Sequence, residues 1–553
     1  LLGAIAFAVA AACASPPPAE PAAPSQPPPP AASPAGAPAP AVPPAEALFP
    51  SEPIQPIQAP FPMPALERPR FPPGVYDVRS FGAVPDGVTK NSDAFKKAIA
   101  AAVAKGGGTV LVPAGRWVTG PIHLASNIHL HLAEGAELLF SQDFKDYLPV
   151  VFSRWEGLEL MNYSPLVYAK DCENVAITGK GKLDGRGQTW WPWKKTQKDA
   201  AKRLYDMASA GTPPEKRIFG TEGDLRPSFI QTVSCKNVLI EGVTITSGPM
   251  WTIHPVYSEN VIVRRVTVQT DGPNNDGLNP DSSKNVLVED SFFSTGDDCV
   301  VIKAGLNEDG WRVGRPSENI VVRRLRGQRG HGGVVIGSEM SGGVKNVFVD
   351  DCEFVGTDRG LRIKSMRGRG GVIENIHYQN VRHVDLRLFD VEMTTFYASS
   401  TLVPLTQKPP TIRGVHVKNV TGSGGKTAIE IVGLPEVAVQ DVTFENVSLA
   451  SDAGVRCTDC ENVRFTNTKI TPKTGSPFRL ENARRVTLEK SCSGPASECV
   501  ELAGDRTADV RVDGALLDTK ALAKARPSGA KAAPSAKAPG APKAPAAKAP
   551  SAP

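Results

Sequence analysis

A short phrase, Asn then Val or Ile then further apolar residues, recurs through this chain and limits its fold more than any other feature. It stands at Asn127, Asn174, Asn237, Asn260, Asn285, Asn319, Asn346, Asn375 and Asn462, with weaker copies at Gly414-Val-His-Val and Val437-Ala-Val. The commonest intervals are 23, 25, 34, 27 and 29 residues. Each unit holds two or three short strands split by Gly, Asp or Asn, too brief to bury a face alone. Stacking one unit per rung sets parallel strands about 4.8 Å apart and covers that face. It also places Asn above Asn, where side-chain amides can hydrogen-bond along the stack. The expected fold class is therefore all-β, a single-stranded parallel β-helix. Propeller blades of about 40–50 residues are too long for these intervals.

Before the first coil, Asn91 to Gly106 reads as a helix. Ser92 is its expected cap, and Phe95, Ile99 and Val103 form an apolar stripe. Such a helix would cap the open N-terminal end of the solenoid, and a capped solenoid is expected to be a monomer. The rest of the chain is two arms. Residues 14–73 hold 23 of the 51 prolines and read as a disordered Pro/Ala-rich linker; 520–553 is a disordered Lys/Ala/Pro-rich tail. The body, 74–519, is the remaining domain. The tail carries seven Lys/Arg and no acid, and residues 1–73 carry four Glu and two Arg, so the body is formally neutral within a chain of net charge +5. A neutral body is a poor candidate for a general nucleic-acid binder.

Residues 1–13 read as a signal peptide whose basic start is truncated. Ala10-Ala11-Ala12-Cys13 resembles a lipoprotein cleavage site, so Cys13 is a candidate lipid anchor and the protein is expected to be exported, at a bacterial cell surface or outer membrane or as a secreted or periplasmic protein. Cys457 with Cys460 and Cys492 with Cys499 are close enough in sequence to bridge. Nothing matches a zinc pattern, and no metal or cofactor is expected.

The chemistry concentrates in four segments: Asn274-Asn275-Asp276-Gly277, Gly296-Asp297-Asp298, Gly330-His331-Gly332 and Arg362-Ile363-Lys364. Their spacings of 21, 34 and 31 residues are each about one coil, which predicts a stripe up one outer face. Arg362 and Lys364 flank an inward Ile363 and should point out. Asp297 and Asp298 cannot both leave a regular strand on one side, so a bend at Gly296 is required. Three carboxylates beside a His, an Arg and a Lys suit hydrolysis of an acidic glycan. One carboxylic acid protonates the leaving oxygen and another carboxylate activates water. Arg and Lys hold the substrate's own carboxylates. His331 would tune the acid's protonation.

In these four segments, and from Phe81-Gly-Ala to about Asp518, the chain resembles family 28 of the glycoside hydrolases, the polygalacturonase family, whose Asn-Thr-Asp, Gly-Asp-Asp, Gly-His-Gly and Arg-Ile-Lys motifs occur here in order, the first with the conservative change of Thr to Asn275. The resemblance implies a right-handed β-helix that cleaves α-1,4-galacturonosyl bonds of pectin with inversion. It makes Asp297 the general acid, Asp276 and Asp298 the water-activating pair, and Arg362, Lys364, Tyr397 and Asn274 substrate-binding residues. Asp281, in Asn279-Pro280-Asp281, is the competing candidate for Asp276. Insertions at 141–173 and 186–228 carry Trp155, Tyr163, Trp190, Trp191 and Trp193, which either stack on sugars and close one end of the cleft, giving exo action, or pack the insertion onto the barrel. The alternatives are a calcium-dependent pectate-lyase-like enzyme, a rhamnogalacturonan-active one, or a surface protein that binds pectin without cleaving it.

Overall fold

The computed structural model describes residues 43–49, 52–397 and 408–518. The signal-like segment with Cys13, much of the Pro/Ala-rich arm and the basic tail lie outside them. The described body is a right-handed parallel β-helix. Its register can be followed along one inward column: Val175, Val238, Val261, Val286, Ile320, Val347, Ile376, Val415, Val442 and Val463 stand above one another. All are buried in one continuous core.

The recurring Asn sits one residue before this column, at a turn. From Asn127 to Asn375 its φ lies between 55° and 61°, the left-handed region that Asn tolerates better than most residues. Each Nδ2 donates to the Oδ1 of the Asn one rung earlier at 2.7–3.1 Å, in an unbroken ladder of eight residues. Gly414, with φ +63°, continues the turn without an amide. The Val437 copy is out of register: Val415 pairs with Val442, so Asp441 takes the turn position and accepts from Asn462 Nδ2 at 2.6 Å. Asn380, Asn419, Asn446 and Asn467 form a second ladder at another turn.

The helix spans Ser92–Val103 and buries Phe95 and Ile99 with Ala94, Ala98 and Ala102. Val103 is exposed at its end, so the apolar face runs through alanines instead. Ser92 is not the cap; its Oγ accepts from Gly120 N at 2.7 Å, and Asn91 precedes the helix.

The expected linker boundary at residue 73 needs correction. Phe61 and Leu66 are buried against Ala176, Leu239, Ile262, Leu287, Val321 and Phe348, with Phe49, Ile54, Ile57, Met63 and Phe71 packed alongside. Those sheet residues are the middle positions of Val-Ala-Ile, Val-Leu-Ile, Val-Ile-Val and their successors. A strand apolar on both faces needs covering on both. A proline-rich segment suits the outer side, because it lies extended without needing ladder hydrogen bonds. Charged pairs pin it: Arg68 donates to the Glu241 carboxylate at 2.6 and 3.0 Å, and Arg323 donates to the carbonyls of Gln55 and Pro56.

His129 continues the same outward stripe and lies under the rings of Phe49 and Phe71. Burial depresses its pKa to about 3. The unfolded chain takes up this proton below about pH 6.5 while the folded chain does not, so stability falls as pH drops from there toward 3. The effect is about 4–5 kcal/mol over the full range. Urea midpoints should therefore decline between pH 7 and 4, and the decline should be shallower in His129→Gln; equal slopes would contradict this.

Candidate active site

The four segments converge on one sheet face, as their spacing predicts. Leu278 bridges to Val300, Val300 pairs with Val334, and Val334 pairs with Leu361, which puts the four motifs on consecutive rungs. The strand Phe292–Thr295 ends before Gly296 and the next begins at Val300, so both carboxylates leave from a bend. A side chain at Gly296 would lie 2.4 Å from the Gly272 carbonyl oxygen. At Gly332 one would approach Asp298 Oδ1 to 3.2 Å and a Val335 methyl to 2.4 Å. These glycines leave room for the carboxylates.

Asp276 is buried, and its Oδ2 accepts from Asn279 Nδ2 at 2.7 Å. Burial first, then the charges of Asp297 and Asp298, push its pKa well above the carboxylate range. Asp297 is opposite in character. Burial acts to raise its pKa, but the hydrogen bond and charge of His331, with Lys364 and Lys303 behind them, outweigh it and hold the group at about 2. His331 Nδ1 lies 3.0 Å from Asp297 Oδ1, and this contact raises the imidazole's own pKa against the effect of burial. Asp298 Oδ2 accepts from Lys364 Nζ at 2.8 Å, while its Oδ1 is buried without a hydrogen-bond partner. Asp276 is thus pushed toward its neutral form and Asp297 toward its ionised one.

Tyr397 joins the cationic rung: its ring centroid lies 5.5 Å from the Arg362 guanidinium carbon and 5.3 Å from Lys364 Nζ. Arg362 is also held by Glu392, with Nε to Oε2 at 2.7 Å. Asn274, expected to bind substrate, has its Oδ1 engaged by Arg226 Nη2 at 2.8 Å. Asn275 is fully buried; its Oδ1 accepts from Thr270 Oγ1 and Gly272 N, and its Nδ2 donates to the carbonyls of Gly248 and Met250. Asn at this position therefore anchors the loop that presents Asp276. Asp281 separates from the site: it is completely buried on Arg154 and His254 and kept ionised by them against burial.

Sequence reasoning did not single out Lys303, Glu339 or Glu392. Lys303 Nζ donates to Gly337 O at 3.0 Å, pairs with Glu339 and lies 5.0 Å from the Trp251 ring centroid. It bears electrostatically on both Asp276 and Asp298. A signal was present, because Ile302-Lys303 repeats the Ile363-Lys364 pattern two rungs earlier.

The tryptophans do not form a sugar-facing wall. Trp190 and Trp193 are buried against Phe144, Tyr147 and Tyr163, and Trp155 against the insertion's own core; only Trp191 is partly exposed. Packing the insertion onto the barrel is their role. The disulfide is Cys492–Cys499; Cys457 and Cys460 are buried and unbridged. Among the described residues no group of three or more His, Cys, Asp or Glu is arranged to hold a metal ion.

Residues 214–471 match glycosyl hydrolases family 28, and residues 75–131 match the rhamnogalacturonase A/epimerase, pectate lyase-like family. A probable polygalacturonase from Vitis vinifera is 30% identical over 434 residues, covering 75% of this chain and 82% of that protein. An exo-poly-alpha-D-galacturonosidase from Dickeya chrysanthemi is 29% identical over 460 residues, covering 75% and 74%. The solved structure of a hyperthermoactive exopolygalacturonase from Thermotoga maritima is 40% identical, with a TM-score of 0.67, covering 82% of this chain and 94% of that one.

Proposed function

Since this chain belongs to glycosyl hydrolase family 28 and is a pectin-degrading hydrolase, we propose that it cleaves α-1,4-galacturonosyl linkages with inversion, from a chain end and without a metal. The observation that carries the reading is the grouping of three carboxylates from two consecutive rungs on the face that also bears Arg362 and Lys364, with Lys364 bound to Asp298. A site facing a polyanion gains nothing from clustered carboxylates unless they handle protons.

Asp297 with His331 is the acid pair. Their contact lowers the pKa of Asp297 and raises that of His331, which favours carboxylate and imidazolium in the resting pair. A uronate carboxylate settling on Arg362 and Lys364 neutralises part of the positive field that depresses Asp297, which favours return of the proton from His331 Nδ1 to Asp297 and from Asp297 to the leaving oxygen. Asp298, with a free Oδ1, accepts from the attacking water. Asp276 shares that role in its ionised form, which its raised pKa confines to higher pH. The raised pKa of Asp276 favours a second reading in which Asp276 is the acid, and the Discussion gives the experiment that separates the two.

Exo action rests on the insertion. The hairpin of Val151–Trp155 and Leu158–Asn162 turns at Glu156-Gly157, and Leu306 N donates to Gly157 O at 3.0 Å. This brings the tip against Glu339, the partner of Lys303, at one end of the carboxylate cluster. Support also comes from the exo-acting relatives in Dickeya and Thermotoga. Export is part of the same proposal, since pectin lies outside cells and the Cys492–Cys499 disulfide suits an oxidising compartment. Incubation with polygalacturonate should release monomer or dimer alone, with the inverted anomer appearing first. A ladder of oligomers would refute exo action; absorbance from a new double bond, or loss of activity on chelation, would favour a lyase.

A further inference from the structure

We infer that Arg226, which lies in the 186–228 insertion and outside the matched motifs, is a positioning residue for the Asp276 loop, so that the insertion assembles the catalytic centre as well as bounding it. The inference rests on the hydrolase reading above. Arg226 is completely buried. Its Nη1 donates to the carbonyls of Pro249 at 3.0 Å and Pro273 at 2.8 Å, and its Nη2 donates to Asn274 Oδ1 at 2.8 Å. Its Nε donates to Gln197 Oε1 at 3.0 Å, at the junction of the two insertion helices Trp193–Thr196 and Lys198–Ser209. One planar group thus ties two neighbouring barrel loops, 248–250 and 273–276, to the insertion.

These loops need such a brace. Residues 270–276 contain no strand, and Asn274 has a φ of 56°. Its carbonyl-side neighbour Asn275 is spent inside the loop and on Gly248 and Met250. Only Asn275 separates the Arg226 contact at Asn274 from Asp276. All four acceptors are neutral, and among the described residues no carboxylate pairs with the guanidinium; burial lowers its pKa to about 10, opposed by the charge of Glu156. A buried cation held solely by neutral oxygens costs stability. Retaining one at the point where two site loops meet makes sense as geometric constraint, because only the guanidinium fork reaches four acceptors in a plane. Displacement of a reacting group by about 1 Å can cost on the order of 100-fold in rate.

The test is steady-state kinetics of the full chain on polygalacturonate for wild type, Arg226→Lys, Gln197→Leu and, as a control on the same insertion, Arg203→Gln, whose Arg203 pairs with Asp224 at the surface. Far-ultraviolet circular dichroism and thermal unfolding confirm that each is folded. Arg226→Lys keeps the charge but not the fork. It should lower kcat about 30–100-fold with KM changed less than about threefold, and should move the acidic limb of the kcat–pH profile as Asp276 shifts relative to Asp297. Gln197→Leu, which frees one of the four contacts, should lower kcat by a smaller factor with the same limb displaced, and Arg203→Gln should stay near wild type. If Arg226→Lys and Gln197→Leu, both folded, match wild type in kcat and pH profile, the inference is wrong. A loss in all three variants alike also overturns it, since it would mark general weakening of the insertion. Wild type without uronate release would instead refute the hydrolase reading.

Discussion

Asp297→Asn is expected to lower turnover of polygalacturonate by about 1,000-fold or more, corresponding to about 4 kcal/mol of barrier, while leaving turnover of an aryl galacturonide with a good leaving group within about tenfold of wild type. An acid is needed only where the departing oxygen must be protonated, so an activated leaving group bypasses it. Asp298→Asn removes a water-activating carboxylate and should depress both substrates. Asp276→Asn decides the competing assignment: loss on both substrates places it with Asp298, whereas selective loss on polygalacturonate would make it the acid and Asp297 the base. The pH dependence supplies a second reading of the same pair. His331 has a raised pKa because of Asp297, so its imidazolium is present below that value and is lost as pH rises through it. The alkaline limb of kcat/KM should therefore lie above the ordinary histidine value and should vanish in His331→Gln. An unchanged limb would remove His331 from the acid pair.

Arg154→Met should be the most damaging single change to stability among the residues discussed, at about 3–5 kcal/mol. Arg154 comes from the insertion hairpin and is fully buried; its Nη1 donates to Asp281 Oδ1 and Ser282 Oγ at 2.9 Å each, and its guanidinium carbon lies 4.9 Å from the Tyr257 ring centroid. His254 Nε2 stands 3.4 Å from the other Asp281 oxygen, and Gly305 N donates to Asp281 Oδ1 at 3.1 Å. Removing the guanidinium leaves a carboxylate in the interior with far less compensation. Because its partners depress the folded pKa of Asp281, the pair's stabilisation is present above the unfolded Asp value and is lost as pH falls through the folded one. The double variant Arg154→Met/Asp281→Asn should be less unstable than the two single losses added together, since no lone charge remains. Urea unfolding measures all three, and additive losses would show that the pair is not coupled.

Much of the architecture was legible because it is written locally. A turn residue with positive φ, followed by an inward apolar column, repeats at coil length, and both the stack of rungs and the Asn ladder follow from that repetition. The four chemical segments fall on adjacent rungs for the same reason. Legibility ended where a residue's environment comes from distant sequence. The outward Ala176, Leu239 and Ile262 announced that something must cover them, but Pro/Ala composition made residues 52–73 look like a tether; only packing revealed a covering segment. The tryptophans of the insertion were equally able to face sugar or core, because an aromatic side chain has no sequence mark of its direction.

Asp276 and Asp281 make the division plain. They stand five residues apart in similar Asn- and Gly- or Pro-containing surroundings, and only the match of the 21-residue offset to the resembled family preferred Asp276. Tertiary structure separates them: Arg154, 127 residues away in sequence, neutralises Asp281, whereas burial and two further carboxylates raise the pKa of Asp276. Periodicity and motif order established the solenoid and the site's composition. Which acid carries charge, which carries a proton and which merely supports the fold depends on burial and on partners from other rungs, and those exist only once the chain has coiled.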